Sequence, residues 1–563
     1  MSAAGYWTVG LALSYTVLLI VGGRLSQRRS AVGKTSGFFV GGRTFSPWTV
    51  AFCITGLFSG SSYIAIMELS YRTGISALWY GVAETVQVLL IALLLVKPLR
   101  EKLVVTVTGI IGDRFGRLAK GIAGVITAFT FPMWSVATTI AFASALTAFT
   151  GLSLHLAVIV TALLLLVFLW SGGMRSVAFN QTMNCIVFVG MLAVGAYAVL
   201  AKPGLSGLQN FAETNPQMFD PGNAGISLIV AWFGTFIVNV PLAQAAFQMT
   251  MSCRTPADGQ KGLYTAAAFG IPFIIIGALI GTSAAVVVPS QKLALVAIPH
   301  YIEQVLPAPL VGVFFLGVWA CAMGWAGPCQ FSGSTSLGRD VGSAINPKAT
   351  ETQLVRYTQW SLVALTGLMI LFSILRTEQS AWWNILAWTL RNGATLAPVL
   401  AVFFWPLATR SAAYSSMVAG FGAGIVWNQL AGWSHTAFFL GTHPVWVGML
   451  VNVTTLVLVT LATSRWRMST DPVRLRRAVK FGLGALAALA ALALGAGWLA
   501  GYGLIGMALF IVVLCSALTV FFGTESRDPA PDTTESDAIG SDATDPETAA
   551  GQPKAKRAPQ HAA

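Results

Sequence analysis

Apolar runs of roughly 17 to 32 residues follow one another along almost the whole chain, and they decide what it can fold into. In hydrocarbon no water is present to pair the backbone N–H and C=O groups, so a run of this length is stable only as a helix that satisfies them internally. Such runs lie at 6–23, 47–72, 75–97, 119–150, 154–170, 176–200, 224–249, 262–290, 308–338, 354–375, 381–406, 412–432, 441–464, 477–499 and 502–522. The expected fold class is therefore an all-α polytopic membrane protein with about fifteen transmembrane helices. Charged residues make up 9% of the chain, against about a quarter in soluble domains, which excludes a cytosolic enzyme, a disordered scaffold and a small secreted fold. The net charge of +13 would suggest nucleic acid in a soluble protein. Here the basic residues stand in short loops between apolar runs, so the expected partner is the lipid bilayer and no nucleic acid.

Those loops also give an orientation. Arg24, Arg28, Arg29, Lys34 and Arg43 follow the first span; Arg100, Lys102, Arg114 and Arg117 follow the third; Arg254 and Lys261 follow the seventh; Arg465, Arg467, Arg474, Arg476 and Arg477 follow the thirteenth. The opposite loops hold little beyond Lys202, Lys292 and Arg376. Lys and Arg accumulate on the cytoplasmic side, so a multi-pass protein of the cell (inner) membrane is expected, N-terminus outside and C-terminus inside. The first run lacks a basic leader and a small-residue cleavage site and reads as a retained span. From residue 524 the composition turns to Asp, Glu, Pro, Thr and Ser, which cannot bury enough apolar area to fold, and a disordered tail over 524–563 is expected. The six cysteines and five histidines form no disulfide or metal-ligand pattern, and no phosphate-binding loop occurs, so no metal, no cofactor and no enzymatic activity are expected.

Two spans carry helix breakers in their middles. Thr55-Gly56-Leu57-Phe58-Ser59-Gly60-Ser61-Ser62 stands in the second, and Asn239-Val240-Pro241 in the seventh. Proline removes one backbone donor and frees a carbonyl. Breaks five spans apart fit a transporter built of two inverted five-helix halves, with its site at the paired breaks. Glycine and serine that merely allow tight helix packing are the alternative. On the inverted-repeat reading the chain divides into a first span and loop (1–46), a first repeat (47–200), a second repeat (224–406), additional C-terminal helices (407–523) and the tail.

Several motifs resemble those of the sodium/solute symporters, a family that includes bacterial proline and sugar transporters. Phe39-Val40-Gly41-Gly42-Arg43-Thr44-Phe45-Ser46-Pro47-Trp48 is similar to the family's entry to the first core helix, and Ser70-Tyr71-Arg72-Thr73-Gly74 to the segment that closes it. Gly172-Gly173-Met174-Arg175-Ser176-Val177, residues 244–261 and residues 306–340 are similar to three further family segments, in the same order. The resemblance covers residues 5–465 or so. It implies a five-plus-five inverted-repeat core of the leucine-transporter type, alternating access, and a mid-membrane site for a small organic solute.

The resemblance also implies a sodium site between the first and eighth core helices, and there this chain departs from the pattern. The counterpart carbonyls on the first helix lie near Thr55 or Gly56 and Phe58 or Ser59. On the eighth, Cys321 keeps its carbonyl, but the two hydroxyl positions are Gly324 and Trp325, and a sodium shell wants about five or six oxygens. The Trp325 indole is expected where the ion would sit. The family's Thr-Asp pair is Asn180-Gln181 here, and its Gln-Arg pair is Gln248-Met249. Sodium is therefore disfavoured at this place, although Ser332, Ser334 and Thr335 further along the span leave a displaced site open.

Ionisable residues inside spans are costly and functional by default. Glu68, Glu84 and Arg391 are of this kind. Arg391 can hold a carboxylate bidentately, and Glu84 and Glu68 are the candidates for carrying a proton. A structural Glu84–Arg391 pair is the alternative. With Ser59, Gly60, Ser61, Phe236 and Asn239, the residues Glu84 and Arg391 form the expected substrate-binding set. The function read from the sequence is secondary transport of a small organic solute, a monocarboxylate or an amino acid, driven by protons or by solute exchange. A symporter with a relocated sodium site and a transporter-like membrane sensor are the competing readings.

Overall fold

The computed structural model describes residues 1–28, 41–101, 106–170, 174–377, 381–434 and 437–527. Phe39 and Val40 of the entry motif, Gly172-Gly173 and the tail beyond residue 527 lie outside the described residues. The principal helices are α1 (Ala3–Arg28), α2 (Pro47–Ile54), α3 (Gly60–Thr73), α4 (Leu78–Leu90), α5 (Arg117–Thr150), α6 (Met174–Ala201), α7 (Ile226–Asn239), α8 (Gln244–Thr250) and α9 (Pro256–Val287). They continue with α10 (Ala308–Thr335), α11 (Glu351–Leu375), α12 (Ala381–Phe404), α13 (Arg410–Leu430), α14 (Pro444–Thr463), α15 (Pro472–Gly501) and α16 (Ile505–Gly523).

Eleven helical stretches among the described residues are long and apolar enough to cross a membrane, or twelve with the bent pair α7–α8 taken as one span. The expected count of about fifteen is thus not reached by that criterion. Residues 47–98 count as a single stretch although Gly74 turns the chain within it; Leu154–Leu169 has only 16 residues; α13 is not among the eleven.

Local chemistry explains the entry to the first core helix. Ser46 is the N-cap of α2, its hydroxyl accepting from the Thr49 amide at 3.2 Å, and Pro47 occupies the first turn, where its missing N–H costs nothing. The chain just before α2 is clasped to the chain just after α8: Phe45 donates to Ser252 O at 2.9 Å and accepts from the Arg254 amide at 3.1 Å.

The two expected breaks differ. At Asn239-Val240-Pro241 the helix stops: α7 gives way to one 3-10 turn, Ala243 leaves helical geometry (φ −73°, ψ 65°), and α8 resumes at an angle of 49°. At Gly56 to Ser61 the expected loss of helical pairing does not occur. Thr55–Ser59 widen into a π-turn, and Gly60 is already α-helical at φ −64°, ψ −40°. A π-turn inserts one residue into the ladder and shifts its pairing without unwinding the chain.

Long buried helices hold the site. α10 packs against α1, α3, α5 and α6, and α12 against α5, α13 and α14. Gly60 brings α3 close to α10: an added Cβ would stand 3.4 Å from the Cα of Cys321. α12 contains Pro398, which cannot donate to the carbonyl of Ala394; the Asn452 amide on α14 does so instead, at 2.9 Å, and accepts from the Ala397 amide at 2.7 Å.

At the C-terminal end, strand β1 (Trp466–Met468) pairs antiparallel with β2 (Thr524–Ser526). Residues 524–526, the first of the expected tail, thus satisfy backbone groups against the strand that follows α14. Arg474 donates to Phe521 O at 2.8 Å and Thr524 O at 3.0 Å, closing the last turn of α16.

Candidate functional site

A cavity opens where α7 breaks, between the π-turn, α5, α10 and α12. Phe58, Phe131, Trp134, Trp325 and Trp388 supply its aromatic wall; Gln87, Asn239, Gln244 and Arg391 supply its polar groups. Arg391 is 3% exposed. One guanidinium nitrogen donates to Asn239 Oδ1, its carbon stands 4.3 Å from the Trp134 ring centre and 5.6 Å from that of Phe131, and its Nε has no partner. No carboxylate pairs with it among the described residues. The break in α7 is what brings Asn239 to Arg391, since it ends the helix at the level where α12 passes.

Gln87 was not singled out by sequence reasoning. It is fully buried, lines the same cavity, and neither side-chain atom has a partner. A neutral amide in an apolar helix gives a weak sequence signal; its spacing of three residues, nearly one helical turn, from Glu84 on α4 is the one clue that could have found it. Gln244, also missed, is spent on structure: it donates to Ser336 Oγ at 2.8 Å and Ser332 O at 3.1 Å.

The other expected substrate residues are dispersed. Asn239 and Arg391 meet in the cavity. Phe236 is fully buried one layer behind, its ring 4.5 Å from Trp388 and 5.3 Å from Tyr80. Gly60 faces Cys321 and Phe188, so its place is helix packing. Ser61 is buried and lines neither of the cavities described here. Ser59 and Glu84 turn to a second cavity between the π-turn, α4 and α9, on the other side of Phe58, which lines both. There the Ser62 hydroxyl donates to Glu84 Oε2. A Glu84–Arg391 pair does not form. Glu68 is buried in the second half of α3.

The expected cation region is also rearranged. Trp325 does not fill the space between the π-turn and α10. Its ring faces the central cavity beside Phe58, 6.2 Å away, and its N–H donates to Trp134 O at 2.5 Å. The space holds Gln181 of α6: its Nε2 donates to Gly324 O at 2.7 Å, and an added Cβ at Gly56 would stand 2.1 Å from its Oε1. Thr55 is buried with its hydroxyl unpartnered, and Cys321 packs against Gly60. The hydroxyls further along α10 are engaged: Ser334 and Thr335 donate to Phe331 O, and Ser332 to Gln248 Oε1.

A cavity at a broken helix among long apolar helices is the arrangement in which secondary transporters hold their solutes. The model of the "Sodium:solute symporter family" matches residues 38–420, and the chain belongs to that family. It is 24% identical over 496 residues to a sodium/proline symporter of Staphylococcus aureus strain Newman, covering 81% of this chain and 92% of that protein. It is 26% identical over 290 residues to high affinity choline transporter 1 of Homo sapiens, covering 48% of this chain and 49% of that one. Among solved structures, a Na+-coupled sialic acid symporter in its substrate-bound outward-open state matches with TM-score 0.68 at 15% identity, over 82% of this chain and 99% of that one. The fold is thus the leucine-transporter-type all-α membrane fold, and the family is one of transporters, not of enzymes.

Proposed function

We propose that this symporter carries a small organic monocarboxylate, held by Arg391 in the aromatic cavity, without sodium at the junction of the π-turn and α10. One observation carries the solute class: a buried guanidinium that faces the cavity with no carboxylate partner. Such a charge is costly inside a membrane unless a counter-charge arrives with the ligand. Arg391 offers the bidentate geometry for a carboxylate, the aromatic wall takes an apolar body, and Gln87 is free to read one polar substituent. The guanidinium opposes a cationic solute of the choline kind. An amino acid such as proline fits in its carboxylate, but the cavity presents no acid to its ammonium. The protein sits in the cell (inner) membrane with its N-terminus outside and C-terminus cytoplasmic, as the basic loops direct.

Uptake into proteoliposomes of a labelled panel tests the solute class. Aromatic and branched monocarboxylates should be taken up and should compete with one another; preference for choline or a neutral sugar would contradict the reading.

The coupling ion has two readings. The names of the family and of its members favour sodium, and a sodium site elsewhere in the chain would satisfy them. The Gln181 amide in the junction favours movement driven by a proton or by an exchanged solute. In the proton case Glu84, bonded to Ser62 in its own cavity, is the carrier. Glu84→Gln should then remove the stimulation of uptake by acidic outside pH while leaving counterflow exchange intact. Unchanged pH stimulation in that variant would exclude Glu84.

A further inference from the structure

We propose that Gln181 is a built-in electropositive bridge, a positioning residue whose amide N–H gives the Gly324 carbonyl, at the junction between the π-turn and α10, the positive partner it needs, so that no dissolved cation is required there. This rests on the reading above that sodium does not bind at the junction. Gln181 is 1% exposed. Its Nε2 donates to Gly324 O at 2.7 Å, and its Oε1 accepts from Asn184 Nδ2 at 3.1 Å; Asn184 Oδ1 in turn accepts from Tyr15 O–H at 2.9 Å. A directional chain of donors thus runs from α1 through α6 to α10, and only one orientation of each amide satisfies it.

The junction is built to the size of that amide. A Cβ on Gly56 would stand 2.1 Å from Gln181 Oε1, and a Cβ on Gly324 would stand 2.7 Å from Gly56 O and 3.2 Å from Gln181 Oε1. Glycine at both positions is what lets a side chain from a third helix reach between them. For the same reason, writing a serine at Gly324 does not create a cation shell: its Cβ meets backbone.

Gly324 O has no helical donor because Pro328 stands four residues on, and such a carbonyl is satisfied either by a cation or by an N–H donor. A donor fixed to α6 cannot exchange with solution. It therefore ties three helices together in any salt, where a bound ion would make the same tie conditional on its concentration. Changing Gln181 to glutamate keeps the length and shape but replaces the donor by an oxygen. A carboxylate then faces Gly324 O, and the bridge is restored by a cation between them or by a proton on the carboxyl, so the melts are run at alkaline pH, where the proton is scarce.

The test uses the purified full-length chain. Thermal midpoints are measured at equal ionic strength in sodium, potassium and N-methylglucamine for wild type, Gln181→Glu and Gln181→Met, with solute counterflow alongside. The wild type should melt at the same temperature in all three. Gln181→Glu should melt lower in N-methylglucamine and regain several degrees in sodium. Gln181→Met, which has neither donor nor charge, should melt lower in all three and lose about three- to tenfold in counterflow rate. A folded Gln181→Glu that ignores the cation overturns the bridge. If Gln181→Glu cannot be purified without a small cation, recovery in sodium alone supports the bridge, and failure in sodium as well overturns it. A wild type stabilised by sodium overturns the coupling reading above; if that effect survives in Gln181→Met, the bridge falls with it.

Discussion

Replacing Arg391 with alanine should weaken uptake of a carboxylated solute by roughly ten- to a hundredfold in apparent affinity, the loss expected for a charge-assisted partner worth about 1.5–3 kcal/mol. The guanidinium is buried against Trp134 and donates to Asn239, and its Nε has no partner. Because no carboxylate among the described residues pairs with this charge, the same substitution should leave the thermal stability of the ligand-free protein unchanged or raise it. That pairing of outcomes separates ligand binding from a structural role, which would lower stability and affinity together. Arg391→Lys keeps the charge but loses the planar fork and the stacking on Trp134, so its affinity should fall between the two. Uptake measured against solute concentration for the three forms decides this, and equal half-saturation in all of them would contradict it.

A second large effect is expected far from the cavity. Gly74→Val should remove most folded protein from the membrane, read as the monodisperse peak in size-exclusion chromatography. Gly74 holds φ at 62°, and an added Cβ would stand 1.7 Å from the backbone oxygen of Met218. The left-handed backbone alone costs roughly 1–2 kcal/mol. The overlap is with main chain, so no rotamer relieves it, and the total falls in the class of changes above about 4 kcal/mol that folded proteins rarely survive. Gly204, with φ 73° but nothing within 4 Å of an added Cβ, is the control: Gly204→Ala should cost only the backbone strain.

Much of this architecture was readable from the chain. Ser46-Pro47 and the Tyr71–Gly74 turn belong to motifs whose physical content the fold displays: an N-cap, a first-turn proline, a tyrosine hydroxyl donating to Val288 O at 2.5 Å, and a turn only glycine can make. Pro241 marked a true break because a missing N–H acts whatever surrounds it. Gly56 and Gly60 did not mark one, since glycine permits unwinding, a π-turn and close packing alike, and neighbouring helices decide. Arg391 was legible because charge inside a span has few explanations. Which way Ser59, Ser61, Glu84 and Trp325 point was not, because neighbouring residues on a helix differ by about 100° in direction and the π-turn adds one residue to the count. Gln87, neutral and unremarkable in composition, takes its meaning only from what it faces; Gln181 was marked as a departure from the family's Thr-Asp pair, but its reach to Gly324 was not.

Arg391 is proposed to bind a monocarboxylate in a carrier whose π-turn junction Gln181 closes. The most direct measurement is initial uptake of a labelled monocarboxylate into proteoliposomes at constant pH and zero membrane potential, with an inward sodium gradient or with potassium substituted throughout. Equal initial rates in the two conditions are expected, with uptake lost in both for Arg391→Ala; several-fold stimulation of the wild type by the sodium gradient would contradict sodium-independent transport and favour a sodium site elsewhere in the chain.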